Sequence, residues 1–156
     1  MDLGLNGKRA LVLGSSQGIG AEIARVLARE GCNVYVGARR LDHIQSLADE
    51  LSEEFNVDAK AYSIDLSDGI SVEKLCEMIT HEWKIDILLN NAGGPPPSSS
   101  TGVSDEIWES SLQSLLMSTI RLSEAAVKGM RERGWGRILT VASSGVIQPI
   151  SNLAVS

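Results

Sequence analysis

The chain has 156 residues, of which 43% are hydrophobic and 22% charged, the make-up of one globular domain with a sizeable core rather than of a disordered or fibrous protein. Its formal net charge of −6 argues against nucleic acid or an anionic membrane as the main partner. No stretch approaches the roughly 18 consecutive apolar residues of a membrane span, and Cys32 and Cys76 match no metal-ligand spacing. Both cysteines read as reduced structural thiols, no metal site is expected, and the N-terminal MDLGLNGKR has neither a basic leader nor an apolar core, so a cytoplasmic location is the expectation.

Ala10 to Leu13 form a short apolar run that suits a buried strand, and Gly14, Gly18 and Gly20 break it before a helical pattern of Ile19, Ile23, Val26 and Leu27 that Gly31 ends. Asn33 to Ala38 reads as a second strand. Helical spacing returns at Ile44, Leu47, Ala48, Leu51 and Phe55, before a third strand from Ala59 to Ile64 that leads to Asp65. A third helix carries Val72, Leu75, Cys76 and Ile79 on one face, and Ile85 to Leu89 forms a fourth strand entering Asn90-Asn91-Ala92-Gly93. The low-complexity Pro95 to Thr101 excludes helix or central strand and reads as a solvated connection in preference to a mobile lid. One long helix is predicted through Trp108, Leu112, Leu115, Leu116, Thr119, Ser123, Ala126, Val127 and Met130, then a fifth strand from Gly134 to Ala142 that ends at Ser143 and Ser144. Strands separated by single helices mean parallel βαβ units with right-handed crossovers, in one α/β domain over residues 1–156.

In an open parallel sheet, ligands bind outside the carboxyl ends of the strands. Those ends carry Gly14 to Gly20, Arg39 with Arg40, Asp65, Asn90 to Gly94, and Ser143 with Ser144, and the five sites are expected to line one crevice. A strand, a glycine turn and a helix start present unpaired backbone N–H groups to an anion, and the glycines let a pyrophosphate come close.

The turn Gly14, Ser15, Ser16, Gln17, Gly18, Ile19 and Gly20, with Asp65 in IDL, the Asn90-Asn91-Ala92-Gly93 segment and Ser143 in this order, resembles the short-chain dehydrogenase/reductase family. Within the family it resembles 3-oxoacyl-acyl-carrier-protein reductase-like members. The resemblance runs from about Lys8 to Ser156 and implies a Rossmann-type doubly wound sheet with strand order 3-2-1-4-5, the later strands of the family being absent from this chain. It also implies that the glycine turn holds a dinucleotide, that Asp65 contacts its adenine, and that Asn91, Ala92 and Gly93 pack beside it. Ala38 stands where NAD-preferring relatives tend to carry an acid, and Arg39, beside Arg40, is suited to a ribose 2′-phosphate, so NADP(H) is expected ahead of NAD. A solvated arginine pair is the other reading of these two residues, and Gln17 stands where NADP-preferring relatives often place a base.

Of the Ser-Tyr-Lys set that the resemblance implies for hydride transfer, Ser143 is the candidate catalytic residue. The tyrosine position falls on Leu153 or on Ser156, the helix asparagine position on Leu115, and the lysine would lie past Ser156. Tyr35 and Tyr62 belong to strands and cannot stand in; His43 and His81 read as solvated helix residues, and Gln148 is a candidate substrate contact. The chain is therefore expected to be either a fragment of a longer polypeptide or a five-stranded remnant, with the helix from Trp108 to Met130 favouring homo-oligomers. The function implied is an NADP(H)-dependent reductase acting on a small-molecule ketone or 3-oxoacyl carbonyl. The alternatives are an inactive dinucleotide-binding or interaction protein, favoured by Leu115 and Leu153, and an enzyme whose proton donor lies beyond this sequence.

Overall fold

In the computed structural model, which describes residues 1–99, 101–148 and 150–155, the apolar run becomes β1 (Arg9–Leu13), buried on both faces. It is the middle strand of a five-stranded parallel sheet with β2 (Asn33–Ala38), β3 (Ala59–Ser63), β4 (Ile87–Asn90) and β5 (Arg137–Thr140), in the order β3-β2-β1-β4-β5. Side chains alternate along a strand, so Ala10 and Val12 join one core and Leu11 and Leu13 the other. The first core is closed by α1 (Gly18–Arg29) and α2 (Leu41–Phe55), the second by α3 (Gly69–His81) and α5 (Ser118–Glu132). This is the doubly wound arrangement, and it places the five strand ends along one rim.

β2 has the predicted bounds, whereas β3, β4 and β5 are shorter than the sequence predicts. Asp86 sits before β4 with its carboxylate accepting the Arg9 N–H at 3.0 Å and the Arg133 Nε–H at 3.2 Å, so the ladder to β5 starts at Ile87. β5 then stops where β4 stops, at the pair Asn90 and Thr140. In the same way β3 ends at Ser63, opposite the last residue of β2.

α1 buries only part of the face that its large residues trace, with Ile23 and Leu27 packed against the core. Gly20, Ala21, Ala24 and Ala28 turn to the sheet, while Ile19 is 62% and Val26 50% exposed. The small residues let the helix backbone lie close to the glycine turn, which a stripe of isoleucine and leucine would hold away.

The expected long helix is three pieces: α4 (Asp105–Ser111), a π-helical stretch at Leu112–Met117, and α5. Ser114 donates its hydroxyl to the Ser111 carbonyl, Ser118 to that of Ser114 and Thr119 to that of Leu115, at 3.3, 2.6 and 2.9 Å. Such side-chain bonds compete with the main-chain ladder and accompany its loosening into a wider turn.

The proline-rich connection is largely exposed but pinned at one point. Ser98 pairs with Leu153, and its N–H donates to the Asn152 carbonyl at 2.8 Å.

At the two sheet edges, β3 carries the exposed Lys60 at its second position, ion-paired to Asp58 at 3.1 Å, whereas β5 is exposed along its whole length, Ile138 and Leu139 included. Among the described residues no helix is long and apolar enough to cross a membrane.

Candidate functional site

The glycine turn is held by packing as well as by dihedral angle. Gly14 has φ +62°, and a Cβ there would meet the Asn91 carbonyl oxygen at 2.6 Å. At Gly20 an added Cβ would meet Gly14 and would come within 2.9 Å of Asn91 Nδ2. Asn91 in turn donates from Nδ2 to the carbonyls of Leu13 and Gly14 at 3.3 and 3.2 Å, tying the end of β4 to the end of β1. Ser15 is fully buried and donates its hydroxyl to the Gly37 carbonyl at 3.3 Å, so its side chain fixes the turn to β2. Gln17 precedes α1 in extended conformation with no side-chain cap. The first N–H groups of α1 therefore have no side-chain acceptor and are open to an anion, with the helix dipole behind them. Ser16 is half-buried beside them, and Gln17, Gly18 and Ile19 are exposed.

The two arginines at the end of β2 diverge. Arg40 donates from Nη2 to Gln17 Oε1 at 3.1 Å, reaching across to the glycine turn. Arg39 lies close enough to Asp65 for its charge to help hold that carboxyl below its usual value, after the larger effect of hydrogen bonds from Ser67. Those bonds come from the Ser67 hydroxyl at 2.7 Å and the Ser67 N–H at 2.9 Å.

Residues at four of the five strand ends meet in one hollow. A cavity of about 580 Å³ is walled by Leu13 and Ile19, by Asn91 and Ala92, by the π-helical stretch, and by Thr140 to Ser143. Arg39, Arg40, Asp65, Gly93 and the rest of the glycine turn lie outside its wall, on the rim that runs from it toward β3. Leu66, next to Asp65, brings the end of β3 into the wall, so of the five strand ends only that of β2, with Arg39 and Arg40, gives it no described residue.

Ser143 starts a short 3-10 turn and its Oγ accepts the Gly145 N–H at 3.0 Å, which leaves its hydroxyl proton free to give. Ser144 and Gln148 are exposed and do not line the cavity. Leu115 does line it, while Leu153 is engaged with Ser98. Ser156 lies outside the described residues. Tyr35 stacks on Trp83 with ring centroids 4.4 Å apart, and Tyr62 meets the same ring edge-on. Both tyrosines belong to this aromatic cluster in the second core, and neither lines the cavity. His43 and His81 are exposed on α2 and α3.

Two contacts engage residues that the sequence points to without indicating their partners. Asn90 is buried beside the cavity, donates to Ser123 Oγ at 3.1 Å, and keeps Oδ1 without a hydrogen-bond partner among the described residues. Its doubled asparagine was the available signal. The Arg40 and Gln17 pair had none, since nothing local joins two loops 23 residues apart. Cys32 and Cys76 are free thiols, and among the described residues no cluster of three His, Cys, Asp or Glu could hold a metal.

Comparison with known proteins agrees with this architecture. Residues 8–155 match the short chain dehydrogenase family. The chain is 34% identical over 142 residues to the 3-oxoacyl-[acyl-carrier-protein] reductase FabG of Escherichia coli, covering 90% of this chain and 57% of that one. It superposes on the L-sorbose reductase of Gluconobacter frateurii, solved in complex with NADPH and L-sorbose, with a TM-score of 0.93 and 35% identity, covering 99% of this chain and 59% of the reductase. A short-chain dehydrogenase from Sphingobium yanoikuyae in complex with NADPH gives a TM-score of 0.86 at 26% identity, over 95% of this chain and 58% of that one. This chain thus spans less than three fifths of the length of each. By its sheet order, its glycine turn and a match over nearly all of its residues, it belongs to the short-chain dehydrogenase family and resembles the 3-oxoacyl-acyl-carrier-protein reductases in it.

Proposed function

We propose that this chain, as one dinucleotide-binding domain, holds NADP(H) along the rim and serves the reduction of a ketone or 3-oxoacyl carbonyl in the cavity. The observation that carries the reading is the packed contact of Gly14, Gly20 and Asn91, which keeps side-chain atoms away from the open N–H groups of α1. The residues present fit a dinucleotide: Gly14, Ser16, Gly18, Ile19 and Gly20 for the pyrophosphate, Asp65 for the adenine, and Asn91, Ala92 and Gly93 beside the nicotinamide, with Ser15 positioning the turn. NADPH would supply the hydride. Ser143, with its proton free, orients and polarises the substrate carbonyl.

Preference for NADP over NAD rests on Arg40 and Gln17, whose bond sets a guanidinium at the edge of the glycine turn, where charge-assisted hydrogen bonds to a 2′-phosphate can form. Arg39 supports it from the Asp65 side. Exposed Trp108, Met117 and Ile120 favour self-association of the chain through the helical layer.

A second reading is favoured by Leu115, an apolar side chain in the cavity wall that can pass no proton: the chain binds the dinucleotide without turning over. One experiment separates these readings. NADPH and NADH are titrated by cofactor fluorescence, and ketones are then added to the NADPH-bound chain. Saturable NADPH binding with ketone-dependent oxidation is expected for the reductase, and binding without oxidation supports the second reading. Arg40→Ala should weaken NADPH by about tenfold or more, the loss of one charge-assisted hydrogen bond, and NADH by less than about twofold. An equal loss for both removes the phosphate assignment.

A further inference from the structure

We infer a second binding site, for a short acidic peptide with a free amino terminus, in the groove between α3 and α5. The groove encloses a hollow of about 620 Å³, within the size range of small-molecule sites, and shares no residue with the cavity wall or the glycine turn.

Five charged side chains line it: Glu73 from α3, and Arg121, Glu124, Lys128 and Arg131 from α5. Along α5 they recur every three or four residues, the spacing at which opposite charges on a helix can pair, yet among the described residues none of the five makes an ion pair. Three of them do converge on Cys76. Burial pushes its thiol up, Arg121 draws it down, and Glu73 and Glu124 raise it again. Both signs of charge thus stand around one point of the groove, and a ligand that carries both can satisfy them together.

The length of the ligand follows from α5. Lys128 and Arg131 lie one turn apart, and Arg121 stands about 10 Å earlier along the axis, at about 1.5 Å per residue. An extended tripeptide also spans about 10 Å. Its C-terminal carboxylate takes the place between Lys128 and Arg131, an acidic first side chain meets Arg121, and its ammonium lies beside Glu73 and Glu124. With three cations against two carboxylates, the wall matches a ligand that has one acid more than it has amines.

The uncharged part of the wall suits a peptide main chain. Thr80 gives its hydroxyl proton to the Cys76 carbonyl at 2.8 Å and keeps lone pairs for a peptide N–H. The small, buried Ala125 lets a backbone come close. The described wall holds no aromatic ring on which a nucleotide base could stack, and Glu73 and Glu124 repel a plain polyanion.

The test is calorimetry of the chain with glutamyl-glycyl-glycine at pH 7, where a free amino terminus is still mostly charged. Three relatives of the peptide each lack one charge: the N-acetylated form, the C-terminal amide, and alanyl-glycyl-glycine. Each should bind about two- to fivefold more weakly, the worth of one exposed ion pair. The double variant K128Q/R131Q should weaken the free acid about tenfold and the amide less than about twofold. Glu73→Gln should weaken the free-amine peptide about threefold and leave the acetylated one unchanged. All these side chains are exposed, so both variants should melt in urea as the wild type does and keep its NADPH affinity. Absence of binding at about ten millimolar peptide, equal binding of the four peptides, or an equal loss of acid and amide in K128Q/R131Q would overturn the inference.

Discussion

Replacing Gly20 by alanine isolates the contact on which the dinucleotide reading depends. The residue lies inside α1, where alanine is intrinsically better than glycine by about 0.8–1.0 kcal/mol, so propensity alone predicts a more stable chain. The added Cβ would meet the Gly14 carbonyl group, with its carbon at 2.8 Å, and Asn91 Nδ2 at 2.9 Å. The nearest obstacles are backbone, which can give way only if the turn moves. Overpacking of this kind costs about 1–3 kcal/mol, leaving a net destabilisation of up to about 2 kcal/mol. Binding should suffer more. If the shifted turn loses two charge-assisted bonds to the pyrophosphate, each about 1.5 kcal/mol or more, NADPH weakens by roughly a hundredfold. A urea melt and an NADPH fluorescence titration on the same preparation separate the two effects. Gly18→Ala is the comparison, since φ there is +60° while no atom lies within 4 Å of an added Cβ: strain without collision. Wild-type NADPH affinity in G20A would refute the claim that the closeness of Gly14, Gly20 and Asn91 shapes the site.

Two further outcomes can be checked. Burial, with the charges of Glu30 and Asp86, pushes the Cys32 thiol from 9.0 up to about 11. The unfolded chain then ionises before the folded one, so stability is intact below pH 9 and falls as pH rises through 11; the wild type should lose about 3 kcal/mol more than Cys32→Ala across that window in denaturant melts. Ser143→Ala should lower ketone turnover by about a hundredfold, the usual effect of removing one donor to a developing oxyanion, and change NADPH affinity little; an equal fall in both would place Ser143 with the cofactor instead.

What the sequence disclosed was what local pattern controls. Ala10 to Leu13 followed by three glycines announced β1 and its turn, and the alternation of strand and helix led to a parallel sheet; its order, which the resemblance implied, is the one the structure has. The buried faces of α2 and α3 were also legible, at Ile44, Leu47 and Leu51 and at Val72, Leu75 and Ile79. In α1 half of the expected face packs on the core, at Ile23 and Leu27, while the closest packing on the sheet falls to Gly20, Ala21, Ala24 and Ala28 and leaves Ile19 and Val26 outside. The π-helical stretch was hidden for another reason. Leu112, Leu115, Leu116 and Thr119 keep helical spacing, and only the hydroxyl bonds of Ser114, Ser118 and Thr119 accompany the change in winding. Long-range pairs such as Arg40 with Gln17 and Ser98 with Leu153 leave no mark on either local pattern.

The unlike edges of the sheet give it a direction of growth. A strand approaching β3 meets the ammonium of Lys60 and the carboxylate of Asp58, and docking there would strip water from both charges. A strand approaching β5 meets apolar side chains and a row of unpaired main-chain groups, with Arg137 the only charge, at the strand's first residue. Any polypeptide that joins this sheet by main-chain pairing, its own or another's, is therefore directed to the side that borders the cavity, where it adds a wall to the site at the same time as a strand to the fold.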